Sequence, residues 1–313
     1  MIDIESVLLS DEDINVIKNP HVGGIILFER NFKSRDQIKD LCANIREVKK
    51  EILIAVDHEG GRVQRFKNDF THIPPMQSIG NIAKSNHDKA IKLANDIGWL
   101  IASELISCGV DISFTPVLDL DIDMSTIIGN RAFSDDPQIV IDLAESLILG
   151  MQDAGMVATG KHFPGHGGVK EDLKPYVILQ NLLGGVMSAH LTFPKVDNNA
   201  VSFSYFWLTT ILRQQLGFEG VVFSDDLSMK GADVAGNYSD KAQKALDAGC
   251  DMLLVCNNRK GVIEVLEYLE ENQISKSSKI INMLKTKEID WNDLVKNKRR
   301  DSIISSLADM DLA

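Results

Sequence analysis

The 313-residue sequence is short of cysteine, with four, and carries no excess of basic residues. Cys42, Cys108, Cys250 and Cys256 follow no CxxC spacing and sit within apolar runs. That argues against a disulfide framework and a thiolate metal site, and points to buried free thiols in a reducing compartment. The formal net charge of −12 argues against nucleic acid or an anionic membrane as the main partner. A local basic pocket for a small anionic ligand stays compatible with it. No apolar run approaches the length of a membrane span. The start, Met1-Ile2-Asp3-Ile4-Glu5, lacks the basic and apolar regions of a signal peptide, so a cytoplasmic location is expected. There is no GxGxxG or GxxxxGK[ST] phosphate loop, no HxH and no HExxH. Pro-, Gly- or Ser-rich linkers, internal repeats and low-complexity segments are also lacking. One domain over residues 1–313 is the expectation.

What is present is ordinary core material, 44% hydrophobic and 25% charged, in a repeating order. Short apolar runs at 23–28, 52–57, 112–119, 157–162, 185–190, 220–225 and 252–256 read as strands. Amphipathic stretches such as 88–107, 137–154 and 239–248 read as helices. Near-continuous apolar strands fit a parallel sheet covered on both faces. Seven such strands in βα order favour an α/β fold of the single-domain (β/α)8 barrel type with one irregular element. A doubly wound open sheet is the competitor.

In such a barrel the site forms at the carboxyl ends of the strands. Those ends carry Asp57, Asp119, Lys161-His162, His190 and Asp225-Asp226. Any one of these could merely cap a following helix; five of seven strands ending in ionisable residues point to a site. Asp57 opens Val56-Asp57-His58-Glu59-Gly60-Gly61-Arg62-Val63-Gln64-Arg65-Phe66, which offers carboxylate acceptors and guanidinium donors. Asp225 continues its strand while Asp226 begins the turn. Asp225 is therefore the candidate reactive carboxylate and Asp226 a cap. His162 and His166 lie four apart, but Pro164 and Gly165 break any helix between them, so no metal site is expected. Lys161 and His162 read instead as donors to a polyhydroxylated or carbonyl-bearing ligand, with Pro164 to Gly167 shaping the loop.

The segment from Val56 to Phe66, Gly160 to Gly167 and Phe223 to Met229 resembles the three signature blocks of the bacterial β-N-acetylhexosaminidases of glycoside hydrolase family 3. The likeness extends through His21–Phe32, Gly129–Phe133, Met187–His190 and Ala248–Met252, and covers the chain up to about Gly261. The resemblance implies a single-domain barrel without a cofactor. It implies removal of terminal β-linked N-acetylglucosamine, with retention, through a covalent glycosyl-enzyme. Asp225 matches the family nucleophile, and Asp57, Arg65, Arg131, Lys161 and His162 match residues that hold the sugar. The implied partner is an N-acetylglucosamine-containing muropeptide of cell-wall recycling, or a small glycoside, bound by a monomer. The implied acid/base is a histidine on a mobile loop, in an Asp-Ser-His sequence a few residues past Gly167.

Here the chain departs from the family. Asp172 lands on the catalytic aspartate of that loop, but Leu173 and Lys174 stand where serine and histidine belong. Read from the other side, Asp172-Leu173-Lys174-Pro175-Tyr176 resembles a block that the family places after the loop. About twenty residues between Pro164 and Gly185 must supply both a loop and a crossover helix, which leaves no lid. Since the other site residues are in place, a mobile stretch omitted after Asp172 is the expectation. A true deletion would leave a catalytically impaired sugar-binding barrel. A metal-dependent hydrolase using His162, His190 and Asp225 is a further alternative.

Overall fold

The computed structural model describes residues 1–122, 127–167 and 169–311. Its strands are β1 Gly24–Leu27, β2 Leu53–Val56, β3 His58–Gly60, β4 Val63–Gln64, β5 Ile112–Ser113, β6 Thr159–Phe163, β7 Gly185–Ser188, β8 Thr192–Phe193, β9 Asp197–Ala200, β10 Val221–Asp226 and β11 Met252–Leu254. Its α-helices are α1 Asp11–Lys18, α2 Arg35–Val48, α3 Met76–Ala83, α4 His87–Ser107, α5 Pro137–Ala154, α6 Val169–Leu179, α7 Tyr238–Ala248, α8 Arg259–Glu271, α9 Trp291–Leu294 and α10 Lys298–Asp311.

Each of the seven expected strands forms, all starting at or after and most ending before the expected bounds, although β6 runs on to Phe163 and β10 to Asp226, the residue expected to begin the turn. They make two parallel sheets, β1-β2-β5 and β11-β10-β7-β6. The register runs from Gly24 opposite Leu53 to Leu27 opposite Val56 in the first, and from Val221 opposite Gly185 to Phe223 opposite Met187 in the second. Isolated parallel bridges join Val117 to Lys161, and Ile2 to both Ile25 and Val255. The strands lie parallel, so their carboxyl ends share one edge, where the polar residues collect.

The expected strand 112–119 keeps only two ladder residues, because Pro116 has no N–H to donate. The segment still lies along β6. Thr159 N donates to Thr115 O at 2.9 Å, Lys161 N to Pro116 O at 3.1 Å and Leu118 N to Lys161 O at 2.7 Å. That places Asp119 beside His162. Between the sheets lies a buried cluster including Ile26, Leu53, Ile112, Phe114, Met187, Phe223 and Leu254, with Phe114 and Phe223 edge to face at 5.3 Å. Such a ring pair adds about 0.5–1.5 kcal/mol beyond its area.

Helices cover the outer faces. α4 and α5 approach so closely that a Cβ on Gly98 would stand 2.1 Å from Leu147 O, which reserves that position for glycine. The C-terminal segment, unassigned in the sequence reading, is tied back by charge. Arg300 of α10 meets the buried Glu104 of α4 at 3.0 Å, and the Arg299 guanidinium stacks 4.7 Å from the Trp99 ring. Hairpin β8–β9 and a π-helical turn, Phe206–Gln215, have no counterpart in the sequence reading. All four cysteines are buried and unpaired. Among the described residues no helix is long and apolar enough to cross a membrane.

Candidate active site

A cleft of about 760 Å³ opens at the carboxyl ends of the strands. Its lining includes Asp57, Arg65, Arg131, Lys161, His162 and Asp225, which come from segments far apart in the chain. At its floor the Lys161 ammonium, only 2% exposed, lies 2.7 Å from Asp57 Oδ1 and 2.6 Å from Glu59 Oε1. Arg131 grips Glu59 with two parallel bonds of 2.8 and 2.7 Å, from Nε and Nη2. This fork-to-carboxylate geometry fixes direction as well as strength. Arg65 Nη2 stands 3.6 Å from Asp57 Oδ2, and its guanidinium lies 6.0 Å from the Phe28 ring centre.

The carboxylates respond to this company. Burial works to raise both Asp57 and Glu59, but the Lys161 charge, with Arg131 beside it, outweighs that and holds them below the usual carboxylate range. Both therefore stay charged at neutral pH. Glu59 is a site residue that the sequence reading quoted without assigning. The available signal was its place two residues after Asp57, since alternate residues of extended chain face the same way.

A second cluster centres on Asp119, whose side chain is fully buried. Its Oδ2 meets His162 Nδ1 at 2.8 Å and accepts the His162 main-chain N–H at 3.1 Å. Its Oδ1 meets His166 Nδ1 at 2.9 Å. The two rings stand edge to face, 5.1 Å apart. Burial opposes the Asp119 charge, yet the two imidazoles hold its carboxyl well below the usual range. Desolvation pulls His166 down, but the hydrogen bond to Asp119 and the charges of Asp119 and Asp225 prevail, and its imidazole is raised above the ordinary value. Donor atoms of Asp119, His162 and His166 lie within 4.8 Å of one another. Hydrogen bonding accounts for that convergence. The sequence reading took His166 for loop shaping; the turn through Gly165, at φ +122°, folds it back beside His162 instead.

The adjacent aspartates divide. Asp226 faces the protein: Ser228 N and Oγ donate to it at 2.9 and 2.6 Å, and Cys256 N at 3.0 Å. Burial raises its carboxyl above the ordinary value, against the pull of Ser228. Asp225 lines the cleft, and its Oδ1 accepts only the Asp226 N–H among the described residues, at 2.8 Å. His190 lies on the Phe203 ring with its Nε2 3.0 Å from Asp226 O. Among the described residues the ligand atoms that converge are those of Asp119, His162 and His166, so the His162, His190 and Asp225 triad of the metal-hydrolase alternative is not assembled.

Asp172 lies behind the cleft. It is fully buried, with Oδ1 accepting Leu120 N at 3.1 Å and Oδ2 accepting Gly167 N at 2.7 Å. Burial pushes its carboxyl up to about 6, against those two amides. Asp172 and Leu173 are consecutive residues of α6, and Tyr176 one turn on packs edge to face on Phe163 at 5.1 Å. Past the Gly167 turn the described chain resumes at Val169, the first residue of this packed helix. Gly168 and the stretch expected after Asp172 lie outside the described residues.

The family described as glycosyl hydrolase family 3 N terminal domain matches this chain over residues 2–174 and again over 169–284. The two matches meet at the start of α6. A β-hexosaminidase of Tolumonas auensis is 44% identical over 321 residues, covering 96% of this chain and 94% of the relative. One of Haemophilus influenzae (strain ATCC 51907 / DSM 11121 / KW20 / Rd) is 42% identical, with 99% and 95% covered. That second alignment runs over 337 residues against a chain of 313, so the relative carries positions without a counterpart here. A crystal structure of NagZ from Neisseria gonorrhoeae in complex with N-trifluoroacetyl-D-glucosamine superposes with a TM-score of 0.90 at 36% identity, covering 99% of this chain and 97% of that one.

Proposed function

The chain belongs to glycoside hydrolase family 3 and is a β-N-acetylhexosaminidase, and from that premise we propose a retaining exo-β-N-acetylglucosaminidase with Asp225 as its nucleophile. One observation carries this reading: Asp225 lines a cleft whose floor is an ordered array of donors and acceptors, while its neighbour Asp226 is consumed by structural bonds. Asp57, Arg65, Arg131, Lys161 and His162 hold the terminal sugar through its hydroxyls and amide. Asp225 attacks the anomeric carbon as the aglycone leaves, and water later releases the sugar from the ester. Asp172 holds the Gly165–Gly167 turn. A (β/α)8 barrel is the architecture proposed for the two sheets, supported by the bridges from Val117 and Ile2.

The substrate proposed is an N-acetylglucosamine-terminated muropeptide fragment or small glycoside, met in the cytoplasm by a monomer. Support comes from the hydrogen-bonding side chains that line a sugar-sized cleft, the four unpaired thiols and the glucosamine ligand of the gonococcal structure. A second reading, a sugar-binding barrel with little turnover, draws on the short passage from Gly167 into α6. Purified protein incubated with an activated, slowly hydrolysed fluorosugar analogue separates the two. A glycosyl adduct mapped to Asp225, absent in Asp225→Asn, supports the enzyme. No adduct and no aryl glycoside turnover at any enzyme concentration would leave the binding reading in possession.

A further inference from the structure

A second cavity, of about 730 Å³, lies at the amino edge of the sheets, away from the cleft. Gly23, Glu51 and Asp251 line it, and each stands shortly before a strand, β1, β2 and β11 in turn. It shares no lining residue with the cleft. Alternation along extended chain explains the separation: Leu254 and Cys256 line the cleft, while Leu253 and Val255 line this cavity.

The wall is apolar. Val262, Val265, Leu266 and Leu269 of α8 recur at helical spacing and all line the cavity, joined by Val22 and Leu246. Protein interiors leave few voids larger than a water molecule, so a space of this volume has the size of a ligand pocket rather than of a packing defect.

The mouth carries an excess of positive charge. Lys49, Lys50 and Lys276 line it against Glu51, while Asp251 is already held by Arg213 at 2.6 Å and Ser277 at 2.9 Å. His21 is a further ionisable group of the lining. Lys50 and Lys276 are exposed, and among the described residues neither has a carboxylate partner. Lys49 Nζ gives two of its donors to main-chain carbonyls, Asn19 O at 2.7 Å and Val22 O at 2.6 Å. Burial, and then the Lys276 charge, push Lys49 down to about 8, so the two ammoniums act on one another with no anion to offset them. On a chain of net charge −12 this cluster is a local exception.

An apolar wall beneath clustered ammoniums fits a molecule with both parts. We propose that this cavity binds a free single-chain fatty carboxylate, its tail along the α8 stripe and its head at Lys49 and Lys276. The remaining Lys49 N–H and the Lys276 ammonium supply charge-assisted hydrogen bonds to the head, and the stripe takes the methylenes out of water. A short anion would leave the wall wet, and a sugar or nucleotide would set polar groups against it. The site is independent of the chemistry at Asp225.

Equilibrium dialysis of the full chain against radiolabelled dodecanoate, below its micelle concentration at pH 7, provides the test. Expected are saturable uptake of one molecule per chain, binding of dodecanol at least about tenfold weaker, and no competition by acetate. Lys276→Glu, at an exposed residue, should weaken dodecanoate by about tenfold or more, the loss of one charge-assisted hydrogen bond, and leave dodecanol unchanged. Leu269→Trp fills the volume and should abolish uptake of both. Neither variant should alter release of an aryl N-acetyl-β-glucosaminide, which also reports that each is folded. No saturable uptake by the parent, or equal uptake by parent and Leu269→Trp, would overturn the proposal. So would dodecanol binding as tightly as dodecanoate, which would make the cavity apolar only. Retention on phosphatidylglycerol vesicles that Lys276→Glu abolishes, without uptake of free dodecanoate, would assign the lysines to a membrane headgroup and overturn it equally.

Discussion

Glu59→Gln tests the buried charge network most directly. Glu59 is 2% exposed and accepts from Lys161 at 2.6 Å and from Arg131 at 2.8 and 2.7 Å. The substitution keeps the volume and removes the charge. One amide oxygen replaces two carboxylate oxygens, and the new NH₂ group points a donor at donors. Lys161 retains Asp57, while Arg131 loses its fork. Breaking a buried pair from one side costs about 3–5 kcal/mol. For a domain of this size, at about 2 °C per kcal/mol, Tm should fall by about 6–10 °C. Loosening Arg131 and Lys161, the proposed sugar holders, should also lower kcat/KM by about 10–100-fold. The pH dependence carries the sign. The Glu59 carboxyl is held below its ordinary value in the fold, so its contribution is fully present above about pH 4.3 and is lost as pH falls below that. Parent and variant should therefore differ at pH 7 and converge towards pH 3. Differential scanning calorimetry across that range measures both. A Tm loss under 2 °C at pH 7, or a gap that widens on acidification, would refute the reasoning.

The remaining expectations concern the turn and its neighbours. Asp172 has its carboxyl raised to about 6, so the folded state binds the proton more tightly than the unfolded one, and this group's contribution falls as pH rises from about 4 to 6. Asp172→Asn should flatten the stability slope in that window, read by urea midpoints at half-unit pH steps; an unchanged slope counts against the assignment. Gly165→Ala places a Cβ 2.3 Å from Asp172 Cβ at a φ of +122°, and should cost several kcal/mol and depress kcat together with Tm. Asp226→Asn should cost about 1–3 kcal/mol through the Ser228 and Cys256 bonds, whereas Asp225→Asn should leave Tm within about 2 °C and abolish glycosyl-enzyme formation. A reversal of that pattern would exchange their roles.

Much of this was legible in the sequence because the signals are local. Gly24–Leu27 and Leu53–Val56 are uninterrupted apolar runs, and the residues just past strands announce the site by their chemistry alone. The network was not legible, because Glu59 finds Arg131 72 residues away and Asp57 finds Lys161 104 residues away. Those pairings depend on which strand lies beside which. His166 was hidden for a different reason: a four-residue spacing was judged against a helix, while the chain folds back through Gly165. The hairpin of Thr192–Phe193 with Asp197–Ala200 carries too few residues to show a period.

Asp172 also bears on how such a chain changes length. Its carboxylate fastens the segment after β5, the turn after β6 and the first turn of α6 at one point, and every partner precedes Leu173. Chain gained or lost immediately after that knot leaves all three fastenings intact, and loop closure changes the folding free energy only weakly with length. The two stretches of the family match overlap at 169–174, across this knot. Architecture and loop length are therefore separable at this point: the fastenings made by Asp172 do not depend on how much chain follows it.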